Sequence, residues 1–347
     1  MINLVRSNIR NLEPYSSARS EFKGKANIFL DANENPFDNK YNRYPDPLQK
    51  EVKEKIATLK GVKQEQIFLG NGSDEAIDLL IRIFCEPAQD SIMILPPTYG
   101  MYQVSANISN VAIQEVPLTA DYQLDVNAIL NQVIPATKLL FICSPNNPTG
   151  NSMNQAAIRK ILDNFEGIVV VDEAYIDFSE QTSLLNWIEQ YPNLVVLQTF
   201  SKAWGLAGIR LGMAFSNSTI IDLFNKVKPP YNVNILTQHA ALKALKQVEQ
   251  TEQYIQTILI ERKKLIAELV KLPFIQKIHP SDSNFILVKV KEADRLYQHL
   301  VDQGIIIRNR SKLALCEDCL RITIGKPKEN QTLIQMLKSI SLNTKYS

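Results

Sequence analysis

The sequence predicts an α/β protein: a mostly parallel mixed sheet with helices on both faces, joined to a smaller α+β domain. Three observations point there. Short apolar runs rich in Val, Ile and Leu alternate with segments of helical periodicity through the middle of the chain, the pattern of a buried parallel sheet covered by helices. Turn-forming residues flank each run. After about residue 235 the alternation gives way to a long helical stretch and then a mixed set of strands and helix.

Taken in order, Gln66–Leu69, Ser91–Leu95, Leu139–Cys143, Gly167–Val171 and Leu194–Thr199 read as short buried strands. Asp74–Phe84, Met101–Asn107, Gln155–Phe165 and Ser183–Glu189 carry helical periodicity between them. Ligands of such sheets sit beyond the carboxyl ends of the strands. Leu236–Leu272 has little Gly or Pro and reads as a helical stretch able to link two domains. Asn284–Val290, helix Ala293–Gln303, Ile305–Arg308 and Leu320–Gly325 form the α+β unit. The first forty residues offer only a short strand, Ala26–Leu30, and are expected to pack on the C-terminal unit. The expected division is a large domain over 41–250 and a small one made of 1–40 with 251–347.

At 347 residues, 45% hydrophobic and 21% charged, the composition is that of an ordinary soluble enzyme. Its 38 basic and 36 acidic residues nearly cancel, so no nucleic-acid partner is expected. No apolar run approaches the roughly 18 residues of a membrane span, and no apolar signal core opens the chain. A cytoplasmic location without membrane attachment is the expectation. Cys85, Cys143, Cys316 and Cys319 do not suggest a disulfide scaffold. Cys316-x-x-Cys319 has redox or zinc spacing, but no second pair follows it, and His239, His279 and His299 lie far apart. No metal site is expected.

The most informative residue is Lys202, within Phe200-Ser201-Lys202-Ala203-Trp204-Gly205-Leu206-Ala207-Gly208-Ile209-Arg210-Leu211-Gly212. A lysine among small and apolar residues is poorly placed as a surface charge. Partial burial would lower its pKa and make the amine nucleophilic. Ser201 and Arg210 could hold a phosphate beside it. An aldehyde cofactor carrying a phosphate would use all three residues, which points to pyridoxal phosphate bound covalently to Lys202.

Other segments supply matching chemistry. Val169-Val170-Val171-Asp172-Glu173-Ala174-Tyr175 is a buried strand ending in a carboxylate. Asp172 opposite a pyridine nitrogen would keep the ring protonated, and Tyr175 could bond its phenolic oxygen. The same motif alone is also an ordinary strand end with a helix-capping aspartate. Cys143–Gly150, with two prolines, can hold the Asn147 amide toward that oxygen, although a Pro/Asn turn is common in any loop. Ile67–Ile77 is a strand, a Gly70-Asn71-Gly72 turn and a helix start, so the Ser73 and Asp74 backbone amides can bind an anion. It also opens a dinucleotide fingerprint, but Glu75 replaces the third glycine and its charge would oppose a pyrophosphate. Tyr99, in Pro96-Pro97-Thr98-Tyr99-Gly100, could stack on a flat ring, or be plain core or rim. Arg308 and Arg310 in Ile307–Arg310, and Arg321 in Leu320–Gly325, sit at the edges of apolar strands and need anionic partners, from substrate or from structural carboxylates.

Together these motifs resemble the fold-type I pyridoxal-phosphate enzymes of the aspartate-aminotransferase superfamily and, within it, the histidinol-phosphate aminotransferase family. The resemblance begins at Asn11-Leu12-Glu13-Pro14-Tyr15 and continues through Asp31–Pro36 and Asn42-Arg43-Tyr44-Pro45-Asp46 to Leu320–Gly325. It implies that Lys202 binds the cofactor and acts as base, with Asp172 on the ring nitrogen and Asn147 and Tyr175 on the ring oxygen. The phosphate would lie against Ser73, Asp74, Ser201 and Arg210, with Tyr99 stacked on the ring. Tyr44 would reach that phosphate from the neighbouring subunit of a homodimer. Tyr15, Arg308 and Arg321 would bind the anionic end of histidinol phosphate or of glutamate and 2-oxoglutarate. Aromatic amino-acid aminotransferases, which are closely similar in sequence, and threonine-phosphate decarboxylases, which also need a substrate-phosphate site, are the rival activities. A transcription regulator on the same fold would need a fused basic DNA-binding domain, which the sequence does not suggest.

Overall fold

A computed structural model describes residues 2–15, 24 and 27–343. Its larger sheet has seven strands: β1 (Ile67–Asn71), β2 (Ser91–Ile94), β3 (Ala112–Glu115), β4 (Thr137–Cys143), β5 (Ile168–Asp172), β6 (Leu194–Thr199) and β7 (Leu211–Phe215). They lie in the order β1-β7-β6-β5-β4-β2-β3. The ladders from β3 to β6 are parallel, and β7 runs antiparallel to both its neighbours. The strand alternation divides two cores. Val169 and Val171 of β5 pack into a cluster on one face, while Ile168 and Val170 pack into the other with the Gly72–Phe84 helix. This is the mostly parallel sheet with two covered faces that the alternation predicts.

Four antiparallel strands make the smaller sheet: β8 (Ile275–Ile278), β9 (Phe285–Val290), β10 (Arg308–Asn309) and β11 (Cys319–Thr323), in the order β10-β11-β9-β8. Ile286, Val288, Leu320 and Ile322 face a third cluster with Leu265, Leu269 and Leu300. Leu287, directly opposite Arg321, points the other way and joins a core of the large sheet. One face of the small sheet therefore meets the large unit, and Arg321 is on that face.

Several expectations need correction. Ser183–Glu189 is no α-helix but a short 3-10 turn, Leu184–Trp187. The stretch Leu236–Leu272 is two helices, Ile235–Ala244 and Val248–Leu269. No Gly or Pro breaks it. The turn falls where the chain leaves one core for another, since Ala241 and Leu245 pack with the large sheet and Leu265 and Leu269 with the small one. A boundary at residue 250 thus falls inside a helix. Residues 2–11 do not join the small domain. Val5 and Ile9 bury in the large-sheet cluster with Ile83 and Phe224, and Arg6 pairs with Glu86 at 3.1 Å. Of the expected strand Ala26–Leu30, Ala26 lies outside the described residues, and 27–30 join no strand.

Candidate active site

The carboxyl ends of β1, β2, β4, β5 and β6 share one edge of the large sheet, as the registers require. The loops leaving that edge enclose a cavity of about 650 Å³. Ser73, Asp74, Tyr99, Asn147, Asp172, Tyr175, Ser201, Lys202 and Arg210 line it, joined by Arg308, Arg310 and Arg321 from the small sheet.

Asp172 ends β5 and is only 3% exposed. Its Oδ2 accepts the Tyr102 hydroxyl at 2.7 Å and its Oδ1 accepts the Ala174 backbone N–H at 3.1 Å. Burial raises the carboxyl pKa, while those hydrogen bonds and the Lys202 charge pull it back. Lys202 is half-buried, with Nζ 5.5 Å from the centre of the Tyr175 ring. Burial lowers its pKa first and the Arg321 charge lowers it further, against Asp172 and Asp74. This is the direction a nucleophilic amine needs.

The Asn147 amide joins two groups. Its Nδ2 donates to the Tyr175 hydroxyl at 3.3 Å, and its Oδ1 accepts from Arg321 Nη1 at 2.6 Å. Tyr99 donates to Asp74 Oδ1 at 3.0 Å and meets the Tyr102 ring edge-on, with 5.6 Å between centroids. Asp74 also takes Arg210 Nη2 at 3.3 Å.

Two glycines make the anion corner possible. Gly72 has φ +72°, and a Cβ there would sit 2.8 Å from Arg210 Nη2. A Cβ on Gly212 would fall 2.1 Å from Gly72 C and Ser73 N, so only glycine lets β7 lie against the helix start. The first N–H groups of the Gly72–Phe84 helix have no intrahelical acceptor. Glu75 does not compete for that corner. Its carboxylate accepts from the Asn71 backbone and from Asn232 Nδ2 at 3.2 Å.

Arg308 lies directly opposite Arg321 in the β10–β11 ladder, and the Arg310 N–H continues it to Cys319 O at 2.9 Å. With a two-residue period, all three guanidinium groups share one face. The Nε atoms of Arg310 and Arg321 are buried with no hydrogen-bond partner. Among the described residues, none of the three pairs with a carboxylate. Burial and then the Arg321 and Arg308 charges push Arg310 down to about 10.

Two expected residues stand elsewhere. Tyr44 is 50% exposed and stacks on Tyr231, centroids 4.4 Å apart, beside a separate cavity. Tyr15 is 72% exposed and does not line the site; nine residues earlier the chain is anchored at the C-terminal end of the Gly72–Phe84 helix, where the Arg6 N–H donates to Ile83 O. Tyr102 went unread as a site residue because a buried aromatic inside the Met101–Ile108 helix looks like core. Arg310 is a second cavity residue that the sequence reading does not assign to the site, although its two-residue spacing after Arg308 carries the signal.

The donor set fits pyridoxal phosphate: a pKa-lowered lysine, a buried carboxylate at a strand end, an amide and phenol pair, and a glycine-lined helix start with Ser201 and Arg210. Fold and site together define an aminotransferase of the class I and II type, and the chain belongs to that family, whose model matches residues 26–337. It is 55% identical to the histidinol-phosphate aminotransferase of Parabacteroides distasonis over 340 residues, 98% of this chain and 99% of that one. The solved histidinol-phosphate aminotransferase of Clostridium acetobutylicum superposes with a TM-score of 0.80 at 27% identity, covering 87% of this chain and 91% of that one. The Sinorhizobium meliloti histidinol-phosphate aminotransferase, solved in complex with pyridoxal 5'-phosphate, shares the fold at a TM-score of 0.79, 23% identity, and 86% and 83% coverage.

Proposed function

We propose that this chain is a pyridoxal-phosphate-dependent aminotransferase that exchanges the amino group between L-histidinol phosphate and 2-oxoglutarate. The products are imidazole acetol phosphate and L-glutamate, by a ping-pong route in histidine biosynthesis. The observation that carries the substrate class is the set of three arginines that face the cavity of Lys202 and Asp172 and, among the described residues, pair with no carboxylate. A phosphate and a carboxylate can take turns on such a surface.

Pyridoxal phosphate, when bound, supplies the electron sink for the proton shift at the amino carbon. Lys202 Nζ would hold the cofactor and is the group that would move a proton at that carbon. Asp172, braced by Tyr102, would hold a proton on the ring nitrogen. Asn147 and Tyr175 would donate to the ring oxygen, and Tyr99 would stack on the ring. The Ser73 and Asp74 backbone amides, Ser201 and Arg210 would bind the phosphate. Arg308 and Arg321, which line the cavity, would orient the anionic end of each substrate. Tyr44 is assigned to the phosphate of a partner subunit's cofactor, which makes the active unit a homodimer. Its half-exposed ring and its place outside its own cavity are what favour that assignment.

The test is a substrate panel on purified protein: histidinol phosphate, phenylalanine and threonine phosphate. The protein should be yellow with a visible band that borohydride removes and Lys202→Ala lacks, and histidinol phosphate should be the best amino donor. Efficient reaction with phenylalanine alone would overturn the substrate assignment, and a colourless protein that gains no band with added cofactor would overturn the cofactor.

A further inference from the structure

We propose that Arg310 is the residue that makes this pocket prefer a phosphate dianion over a carboxylate, a specificity role that rests on the transamination reading above. Arg308 and Arg321 face each other across the ladder, and Arg310 follows on the same face. The three are not equivalent. Arg321 is committed inward, with Nη1 on Asn147 Oδ1 at 2.6 Å, close to Tyr175. Arg308 is exposed. Arg310 is half-buried, lines the cavity and keeps its Nε buried and unpartnered.

A carboxylate presents two oxygens, and one arginine fork satisfies both. A phosphate monoester presents three terminal oxygens and carries close to two charges at neutral pH. A third guanidinium is therefore surplus for a carboxylate and useful for a phosphate. Reach gives the same answer. A carboxylate attached directly to the amino carbon stays near the inner arginine, whereas a phosphate linked through a methylene and an ester oxygen extends two atoms farther out. No carboxylate among the described residues neutralises Arg310, so the charge is left for a ligand.

The test uses holoenzyme and two probes that cannot be transaminated, inorganic phosphate and glutarate, titrated calorimetrically into wild type, Arg310→Gln and Arg310→Lys. The expected result is that Arg310→Gln weakens phosphate by about tenfold or more and glutarate by less than about threefold, with Arg310→Lys intermediate because it keeps charge but loses the fork. In steady state, KM should rise for histidinol phosphate with glutamate unchanged. Equal weakening of both probes, no loss of phosphate, or a wild type with no phosphate preference would overturn the proposal. An unaltered visible band in each variant shows that the fold and cofactor site are intact. If wild type does not turn over histidinol phosphate at all, the proposed function falls, while the two titrations still decide the role of Arg310.

Discussion

The cavity has two sides built on opposite principles. On the large-sheet side almost every charge is already matched. Asp172 is held by Tyr102 and Ala174, Asp74 by Tyr99 and Arg210, and Glu75 by Asn71 and Asn232. On the small-sheet side three arginines stand with two buried Nε atoms unsatisfied and, among the described residues, no carboxylate paired with them. A permanent tenant calls for a preorganised and internally braced floor. A substrate that must enter and leave is better served by a wall whose charge is completed only on binding. The difference predicts where substitutions will be felt: as stability and cofactor affinity on one side, as substrate affinity on the other.

The hardest blow to the braced side should be Gly212→Ala. Its Cβ would meet backbone atoms at 2.1 Å, so β7 and the helix start must separate. Loss of about 2–4 kcal/mol is expected, from overpacking and backbone strain, together with much weaker cofactor binding. Thermal melts with and without added cofactor measure both, and an unchanged melt would break the claim that this contact sets the anion corner.

Asp172→Asn comes next. The amide keeps the shape but cannot hold a proton on the ring nitrogen, so kcat should fall by about a hundredfold or more while the fold survives. A kcat within a few fold of wild type would mean that the carboxylate is structural. The smallest effect belongs to the unbalanced side. Arg308→Gln removes one of three like charges and should raise ligand-free stability by a few tenths of a kcal/mol while weakening substrate binding. A drop in stability would show that Arg308 has a structural partner.

Much of this was legible in the sequence because the cofactor chemistry is local. Lys202, Asp172 and Asn147 each follow an apolar run within a few residues, and the strand-end rule then gathers them. The substrate arginines were legible for a related reason, being charges inside alternating apolar strands. What stayed hidden depends on distant contacts. β7 was masked because Arg210 and Gly212 make its run look like a loop. β3 is an edge strand with both of its terminal residues exposed. The break before Val248 has no Gly or Pro to announce it. That Val5 and Ile9 pack beside Phe224 is a contact across most of the chain, which no local pattern encodes. The Tyr15 assignment came from resemblance alone, and the structure does not bring that side chain into the cavity.

The single amide of Asn147 spans both sides, touching Tyr175 with one end and Arg321 with the other. Its orientation is therefore a shared variable of two binding equilibria. Whatever free energy a ligand on the arginines gains by fixing that amide must reappear, by reciprocity, in how tightly the tyrosine side holds its own ligand. Affinity on the two sides of this cavity is then one thermodynamic cycle, and a change of Asn147 would open it.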